Sequence, residues 1–295
     1  MFGLLNIHKP VGPSSHAIVA GVRRRVPRGV KVGHAGTLDP RADGVLVICL
    51  GPATRLAEYV QHAPKRYRTT VTLGARSTTD DTEGEITHTD AAKPPAREDI
   101  EAALVGMIGR IEQVPPVHSA VHVDGRRAYE IARDGQDVQI TPRPVTIHEI
   151  RLAAYEYPAL TLEIVCGSGT YIRSIARDVG ETLGVGGYCR TLTRTAVGEF
   201  TLETALPPDE VDPRRDLIAP ARAVSHLPPC HVTDAQVAKL TIGQRVSLDE
   251  VDLPDEPTAA EDIAVFDPAG ELVAIAIRET HRNALRPTKV LLRQR

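Results

Sequence analysis

The chain contains short apolar runs that are separated by polar and glycine-containing stretches. Residues 45–50 read Val-Leu-Val-Ile-Cys-Leu, a short β-branched run typical of a strand that is covered on both faces. Residues 67–74, 145–150 and 160–165 alternate apolar and polar positions instead, which predicts strands with one face exposed to water. The last two of these segments should pair with each other in a sheet.

Other segments have helical spacing. Ile18, Val22 and Val26 repeat every fourth residue behind a serine, Ser14 or Ser15, that can cap a helix. Two more helices are predicted from the stripes Ile100, Leu104, Ile108 and Ile172, Ile175, Val179, Leu183. Helices among alternating strands predict an α+β protein with a mixed, largely antiparallel sheet flanked by helices.

The pattern changes near residue 207. Residues 207–229 are rich in proline, which is typical of a domain junction. Beyond them, Thr233 and Gln236 form a capping-box pattern, and residues 263–266, 272–277 and 289–292 read as strands. We therefore expect a domain over residues 1–222 and a small β-rich domain over 226–295.

Composition narrows the function classes. The 295 residues are 42% hydrophobic and 25% charged, no apolar run is long enough for a membrane span, and the first residues do not resemble a signal peptide. We expect a cytoplasmic protein without membrane contact. No stripe typical of a dimer interface is present, so a monomer is expected.

Charge is unevenly distributed. The net charge is −3, and residues 249–262 contain acids and no bases. Five bases lie within nine residues, without an acid among them: Arg23, Arg24, Arg25, Arg28 and Lys31. Such a patch either binds phosphates or forms the solvated face of a helix, and the sequence alone does not decide between the two.

No metal site or cofactor is expected. The four cysteines are far apart and form no paired motif, and only His118 and His122 have the i, i+4 spacing of helical metal ligands. Prolines at 115 and 116 argue against a helix there. A phosphate-binding loop is excluded as well, because no Gly-Lys-Ser/Thr follows the glycines at 167 and 169.

The segment with the strongest chemical signal precedes the apolar run at 45–50. Residues 33–44 read Gly-His-Ala-Gly-Thr-Leu-Asp-Pro-Arg-Ala-Asp-Gly, a polar loop in which Pro40 stiffens the backbone next to Asp39. Taken alone, an Asp before Pro is ordinary turn chemistry. A carboxylate on a stiff loop beside a buried strand is also well placed for catalysis.

The whole string resembles the signature loop of the TruB family of tRNA pseudouridine synthases, and that resemblance continues over about the first 200 residues. It implies the pseudouridine synthase fold. By position and pattern, the small β-rich domain after it resembles a PUA-type RNA-binding domain. The resemblance to the TruB family also implies that Asp39 is the catalytic carboxylate, acting as the nucleophile or as the base that opens the ribose. The implied substrate is uridine 55 in the T-loop of tRNA, so the T-arm is the expected partner.

Further residues are assigned by the same resemblance. Lys65 and Tyr67 match the family's Lys-x-Tyr, in which the Tyr lies next to the target base, although Tyr67 taken alone is equally compatible with core packing. In Gly-Thr-Tyr-Ile-Arg, Arg173 is expected to pair with Asp39 and Tyr171 to cover the base. Leu192 fits the apolar contact below the base. The family's Leu-Arg-Arg is here Leu-Thr-Arg, which puts one contact, at Thr193, in doubt.

A base inside a folded tRNA loop must be everted before it can react. His34 is expected to fill the space that the base leaves, whereas without the resemblance a hydrogen-bonded structural histidine is equally acceptable. Residues 117–145 are expected to form a mobile insertion that closes over the RNA. Two kinds of alternative remain at this point. Asp39 is a phosphoryl acceptor or forms a carboxylate pair with Asp43, both of which fit poorly without a metal-binding cluster, or the protein is an RNA-binding module without catalysis.

Overall fold

The protein is described by a computed structural model that covers residues 1–89, 93–119, 122–123, 126–127, 131, 140–253 and 262–292. Its largest element is a nine-stranded sheet with the order β1-β3-β12-β4-β11-β10-β7, to which β2 adds beside β3 and β13 beside β12. The strands are β1 (Gly3–Lys9), β2 (Val32–His34), β3 (Ala42–Leu50), β4 (Lys65–Leu73), β7 (Gly109–Gln113), β10 (Arg143–Glu156), β11 (Ala159–Cys166), β12 (Gly187–Val197) and β13 (Phe200–Thr201). Two short hairpins accompany it: β5 (Ala75–Ser77) with β6 (Ile86–His88), and β8 (His122–Val123) with β9 (Arg126–Arg127).

The sheet is mixed and largely antiparallel, as the sequence predicts. Strands β10 and β11 pair antiparallel, which confirms the pairing expected from their alternation. Strand β3 pairs with β12 in parallel, over Ala42 to Gly44 and Leu192 to Arg194. This pairing puts the loop before β3 next to a strand that lies far along the chain.

Gly44 makes the close approach of these two strands possible. Its φ is +112°, a backbone conformation that side chains disfavour, and a Cβ atom at this position would lie 2.2 Å from the carbonyl oxygen of Arg194. Any other residue at 44 would force β3 away from β12. The glycine at the end of the signature loop is therefore required by packing.

Within the described ranges, the helices that flank the sheet are α1 (Ser15–Arg25), α2 (Ala57–His62), α3 (Arg97–Val105) and α4 (Ile172–Thr182). Ser14 caps α1 by accepting a hydrogen bond from the backbone N–H of Ala17, and the helix buries Ile18 and Val22 against β1 and β3. The predicted third turn of α3 is wrong. That helix ends at Val105, before Gly106, and Ile108 is 46% exposed in the turn that leads to β7.

A second sheet has the order β14-β16-β17-β18-β15. It consists of β14 (Pro229–His231), β15 (Val246–Ser247), β16 (Asp262–Phe266), β17 (Leu272–Glu279) and β18 (Ala284–Val290), with helix α5 (Asp234–Thr241) packed on it. The predicted capping box of Thr233 and Gln236 is present at the start of α5. The last strand begins and ends earlier than the predicted 289–292, because Asn283 turns the chain with a φ of +47° and pairing restarts at Ala284.

The second sheet packs on the first part of the chain through a shared core. Leu4 and Val47 of the large sheet belong to the same buried cluster as Ile275 and Leu291. Polar contacts reinforce it, because the Tyr59 hydroxyl donates to Asp262 at 2.7 Å and accepts from Lys289 at 3.0 Å. The domain limits 1–222 and 226–295 stay predictions.

Some predicted features lie outside the described residues. These are most of the insertion at 117–145, with its short helix before Arg133, and most of the acidic segment at 249–262. In the part of the chain that is described, no helix has both the length and the apolar character that a membrane crossing requires.

Candidate active site

A cavity of about 510 Å³ lies where β4, β12, the signature loop and the start of α4 meet. All six residues predicted for the site line this cavity: His34, Asp39, Tyr67, Tyr171, Arg173 and Leu192. They come from four separate segments of the chain, and the fold brings all of them together.

Asp39 and Arg173 form the centre of the site. Arg173 lies in the first turn of α4 with 7% of its surface exposed, and its Nη2 is 3.0 Å from Oδ2 of Asp39. The Asp39 carboxylate is more open, since 42% of its side chain is exposed. The predicted contact between these residues is confirmed, and it leaves the carboxylate accessible from the cavity.

A second carboxylate holds the same arginine from the other side. Asp81 is buried, its Oδ2 lies 3.0 Å from Nη1 of Arg173, and it also accepts hydrogen bonds from the Thr79 hydroxyl and the Glu83 N–H. Burial alone would lower the pKa of Arg173, but the charges of Asp39 and Asp81 outweigh it and raise that pKa above its ordinary value. The guanidinium is thus a fixed, permanently charged group between two carboxylates.

Arg194 fixes the backbone of the signature loop. This arginine is 2% exposed and donates three hydrogen bonds to main-chain carbonyls, from Nε to Val45 at 2.8 Å, from Nη1 to Thr37 at 3.1 Å and from Nη2 to Gly36 at 3.1 Å. A planar guanidinium can span several carbonyls at once, which an ammonium cannot do. Asp39 therefore lies on a loop whose shape is set by β12.

Residues 9–15, at and just before the start of α1, hold the other side of the signature loop. The Ser15 hydroxyl donates to the Leu38 carbonyl and accepts from its N–H, both at 2.8 Å. The Gly12 N–H donates to the Pro40 carbonyl at 2.8 Å, and the buried Lys9 ammonium donates to the Pro10 and Pro13 carbonyls. The start of α1 thus packs against the signature loop.

Asp43 has a structural environment. Its Oδ1 accepts a hydrogen bond from the Thr193 hydroxyl at 2.6 Å, and its Oδ2 lies 3.5 Å from Nε2 of His8. Thr193, where the family pattern has an arginine, therefore makes a short contact with the end of the signature loop. Asp43 does not line the cavity, so the alternative of an Asp39 and Asp43 pair gains no support.

His34 and Tyr67 face the cavity from β2 and β4. Nδ1 of His34 is buried without a hydrogen-bond partner, and burial, followed by the charges of Arg194 and His16, lowers its pKa below the ordinary value. Burial raises the pKa of the Tyr67 hydroxyl. Both rings are therefore uncharged at neutral pH, which suits contact with an uncharged base.

Tyr171 is the N-cap residue of α4, and the side chain of Gln113 holds the Tyr171 backbone in place. The Gln113 side chain accepts from the Tyr171 N–H at 2.8 Å and donates to the Tyr171 carbonyl at 3.1 Å. Nearby, Nη2 of Arg173 donates to the carbonyl of His118 at 3.2 Å. The segment that leads into the predicted insertion is therefore in contact with the arginine that pairs with Asp39.

Sequence reasoning missed Asp81, Arg194 and Gln113. It assigns no role to Asp81 or Gln113, and it considers the arginine that Thr193 replaces without finding the loop contacts of Arg194. Their common feature is burial of a polar side chain beside the signature motifs. The one sequence signal near Asp81 is that residues 78–84 form an acidic, turn-rich stretch.

Other candidates do not form sites among the described residues. No group of three or more His, Cys, Asp or Glu side chains is arranged to hold a metal ion there. The four cysteines are buried and free. In the basic patch, Arg25 donates to the Val211 carbonyl at 2.8 Å and Arg23 to the Val32 carbonyl at 3.2 Å, so these two arginines have structural partners.

Comparisons with known proteins agree with this geometry. A model of the TruB family pseudouridylate synthase N-terminal domain matches residues 24–172. A curated relative, tRNA pseudouridine synthase B of Dehalococcoides mccartyi strain BAV1, is 39% identical over 100% of this chain and 98% of that protein. The protein of the same name from Parasynechococcus marenigrum is 42% identical over 94% of each chain.

Solved structures show the same architecture. A chain in the crystal structure of a Cbf5-Nop10-Gar1 complex is 25% identical, with a TM-score of 0.77 over 99% of this chain and 85% of that one. A chain of an H/ACA RNP bound to a substrate RNA containing 2′-deoxyuridine has the same coverage, 24% identity and a TM-score of 0.76. With a family model over half of its residues and relatives along its whole length, this chain belongs to the TruB family of pseudouridylate synthases.

Proposed function

We propose that this protein isomerises uridine to pseudouridine in tRNA, at position 55 of the T-loop, with Asp39 as the catalytic carboxylate. The reaction breaks the bond between N1 and C1′, turns the uracil and joins C5 to C1′. The C5 proton is lost and N1 gains one, so no oxidant or energy source is needed. The curated relatives carry the name of this activity.

One observation carries the proposal: an accessible carboxylate held by a buried arginine inside a cavity. Asp39 faces the cavity, and Arg173 at 3.0 Å fixes the direction of its carboxylate. A carboxylate held in a fixed direction can attack the substrate as a nucleophile or remove a proton from the ribose. Asp81 anchors Arg173 and acts as a positioning residue.

The remaining cavity residues suit an everted base. Tyr67, Tyr171 and Leu192 provide the aromatic and apolar surfaces that stack on a uracil. His34 lies five residues before Asp39 and has an unsatisfied buried nitrogen. We propose that its uncharged ring enters the gap in the T-loop, where a vacated base position offers hydrogen-bonding partners.

Tritium release tests the activity. A tRNA transcript labelled with tritium at C5 of uracil should lose one equivalent to water per molecule turned over. A second transcript, with cytidine in place of uridine 55, should release none. Continued release from that transcript would refute the position, and no release from either would refute the activity.

An Asp39→Asn variant separates catalysis from binding. It should bind the transcript as tightly as the unchanged protein and release no tritium, because the amide neither attacks nor accepts a proton. Asp43→Asn is the matched control on the same loop and should remain active. Full activity of Asp39→Asn would refute the mechanism, and binding without release by the unchanged protein would leave an RNA-binding module.

We also propose that the T-arm is the part of tRNA that is bound, and that the protein acts as a monomer in the cytoplasm. An isolated T-arm hairpin should then be a substrate, with kcat within about tenfold of the whole transcript. Sedimentation should give a mass near 31.9 kDa at the concentrations used for catalysis.

A further inference from the structure

Lys65 is a buried cation that the function described so far does not use. It is the first residue of β4, it lies between Cys166 of β11 and Val197 of β12, and 7% of its surface is exposed. None of the ion pairs found among the described residues involves it. A buried ammonium without a counter-ion is costly, because water no longer solvates its charge.

The ammonium of Lys65 has spare hydrogen-bonding capacity. It can donate three hydrogen bonds, and in the structure it donates one, to the main-chain carbonyl of Gln61 in α2. Lys65 and Gln61 both line the cavity that contains Asp39. The free donors therefore belong to a side chain that borders the site where substrate would react.

The surroundings of Lys65 favour an anion. Burial, together with the nearby charge of Arg194, lowers the pKa of Lys65 to about 8, and the Cys166 thiol opposes this only weakly. A neutral carbonyl on a base would leave two cations close together without compensation. A phosphate would compensate them, and an RNA strand with an everted nucleotide necessarily brings phosphates to the cavity.

We propose that Lys65 binds a backbone phosphate next to the everted uridine and takes up a full positive charge when it does so. The proposal rests on the proposed function, since it requires RNA in the cavity. Lys65 is in this view a positioning residue, which holds the nucleotide while Asp39 reacts.

Proton uptake is one consequence that a purely structural lysine would not show. The groups that face Lys65 are Arg194 of β12 and Cys166 of β11, and the other titratable groups that line the cavity are His34, Asp39, Tyr67, His118, Tyr171 and Arg173. At pH 8.5 the free protein has a partly neutral Lys65, and a bound phosphate restores its proton. Calorimetry of hairpin binding in two buffers of different ionisation enthalpy should show uptake of about half a proton or more.

Variants of Lys65 test whether this residue takes up the proton and whether it contacts the phosphate. All binding is measured in the Asp39→Asn background, which prevents turnover. Lys65→Arg remains charged and should bind within about threefold of the parent at pH 7 with no proton uptake at pH 8.5. Lys65→Met should weaken binding at least tenfold and reduce the slope of log Kd against log salt by about 0.7 to 0.9. Lys93→Met, at an exposed lysine, is the matched control and should change neither.

A hairpin with a single uncharged methylphosphonate identifies the phosphate. At the linkage 5′ or 3′ of the target uridine, this change should weaken binding to the parent protein but not weaken Lys65→Met further. Strictly additive effects at both linkages would overturn the proposal, as would unchanged binding by Lys65→Met or undiminished proton uptake by Lys65→Arg. If the unchanged protein releases tritium from tRNA while these tests fail, the inference about Lys65 is wrong and the proposed function stands.

Discussion

Replacing Arg194 with lysine should disable the site without removing any group that touches the reacting atoms. The arginine spans three carbonyls of the Asp39 loop, and a lysine can reach one of them. Two hydrogen bonds from a charged donor would be lost, each of about 1.5 to 3 kcal/mol, although the charge itself is kept. We expect the free energy of unfolding to fall by about 3 kcal/mol, which is about 6 to 12 °C in Tm for a chain of this size.

The effect on catalysis should be about as large as the effect on folding, because tenfold in rate corresponds to about 1.4 kcal/mol and the expected loss is about 100-fold. A loop freed at Gly36 and Thr37 moves Asp39, and a displacement of about 1 Å at a reacting group costs about 100-fold in rate. We therefore expect Arg194→Lys to lower kcat about 100-fold at saturating tRNA in the tritium-release assay. Arg110→Lys, at an exposed arginine of β7, is the control and should change neither Tm nor kcat. A lowered Tm with an unchanged kcat would refute the idea that Arg194 positions the carboxylate.

Three further predictions concern other contacts. Asp81→Asn should lower kcat by about 10-fold to 100-fold and leave the Kd for the hairpin unchanged, because Arg173 loses the charge of one of its two carboxylate partners; single-turnover kinetics would check it, and an unchanged rate would contradict it. Tyr59→Phe should lower the free energy of unfolding by about 1 to 3 kcal/mol, because its hydroxyl bonds both Asp262 and Lys289; denaturant titration would measure it, with Tyr157→Phe, at an exposed tyrosine, as the control. Lys65→Met should stabilise the free protein by up to ~3 kcal/mol below pH 8, because the pKa of Lys65 is lower in the folded state than its unfolded value of 10.5. Between pH 8 and 10.5 the unfolded state binds more protons than the folded state, so the free energy of unfolding of the unchanged protein rises with pH. The stability advantage of Lys65→Met should therefore vanish over that range. Urea titrations between pH 8 and 10.5 would test whether the difference in stability falls as predicted.

Local patterns in the sequence were sufficient for the main elements. The β-branched run at 45–50 belongs to β3, and the spacing of Ile18 and Val22 belongs to α1, because each pattern reports burial on its own element. The end of α3 was misjudged at Ile108, since an apolar residue at helical spacing cannot reveal that Gly106 has already ended the helix.

The candidate site shows a different limit. Asp39 and Arg173 were paired through a family resemblance, and their side chains are 3.0 Å apart. No sequence motif identifies Asp81 or Arg194 as part of the site. Asp81 bonds a residue 92 positions away along the chain, and Arg194 bonds residues that are 149 or more positions away. The role of a buried polar residue can be recognised only when its partner is known. Patterns in a single sequence do not show which residues, far apart along the chain, are partners.

The parallel pairing of β3 with β12 also governs when the protein can become active. Asp39 emerges early during synthesis, and the start of α1 can already hold its loop at Leu38 and Pro40, yet the loop is held at Gly36 and Thr37 only once Arg194, which bonds a residue 149 positions earlier, has been made and docked. Pairings over such distances form late, because the intervening chain must first lose much of its freedom. Under the role proposed for Asp39, a nascent chain therefore carries an inert carboxylate, and turnover begins only once the long crossover has closed.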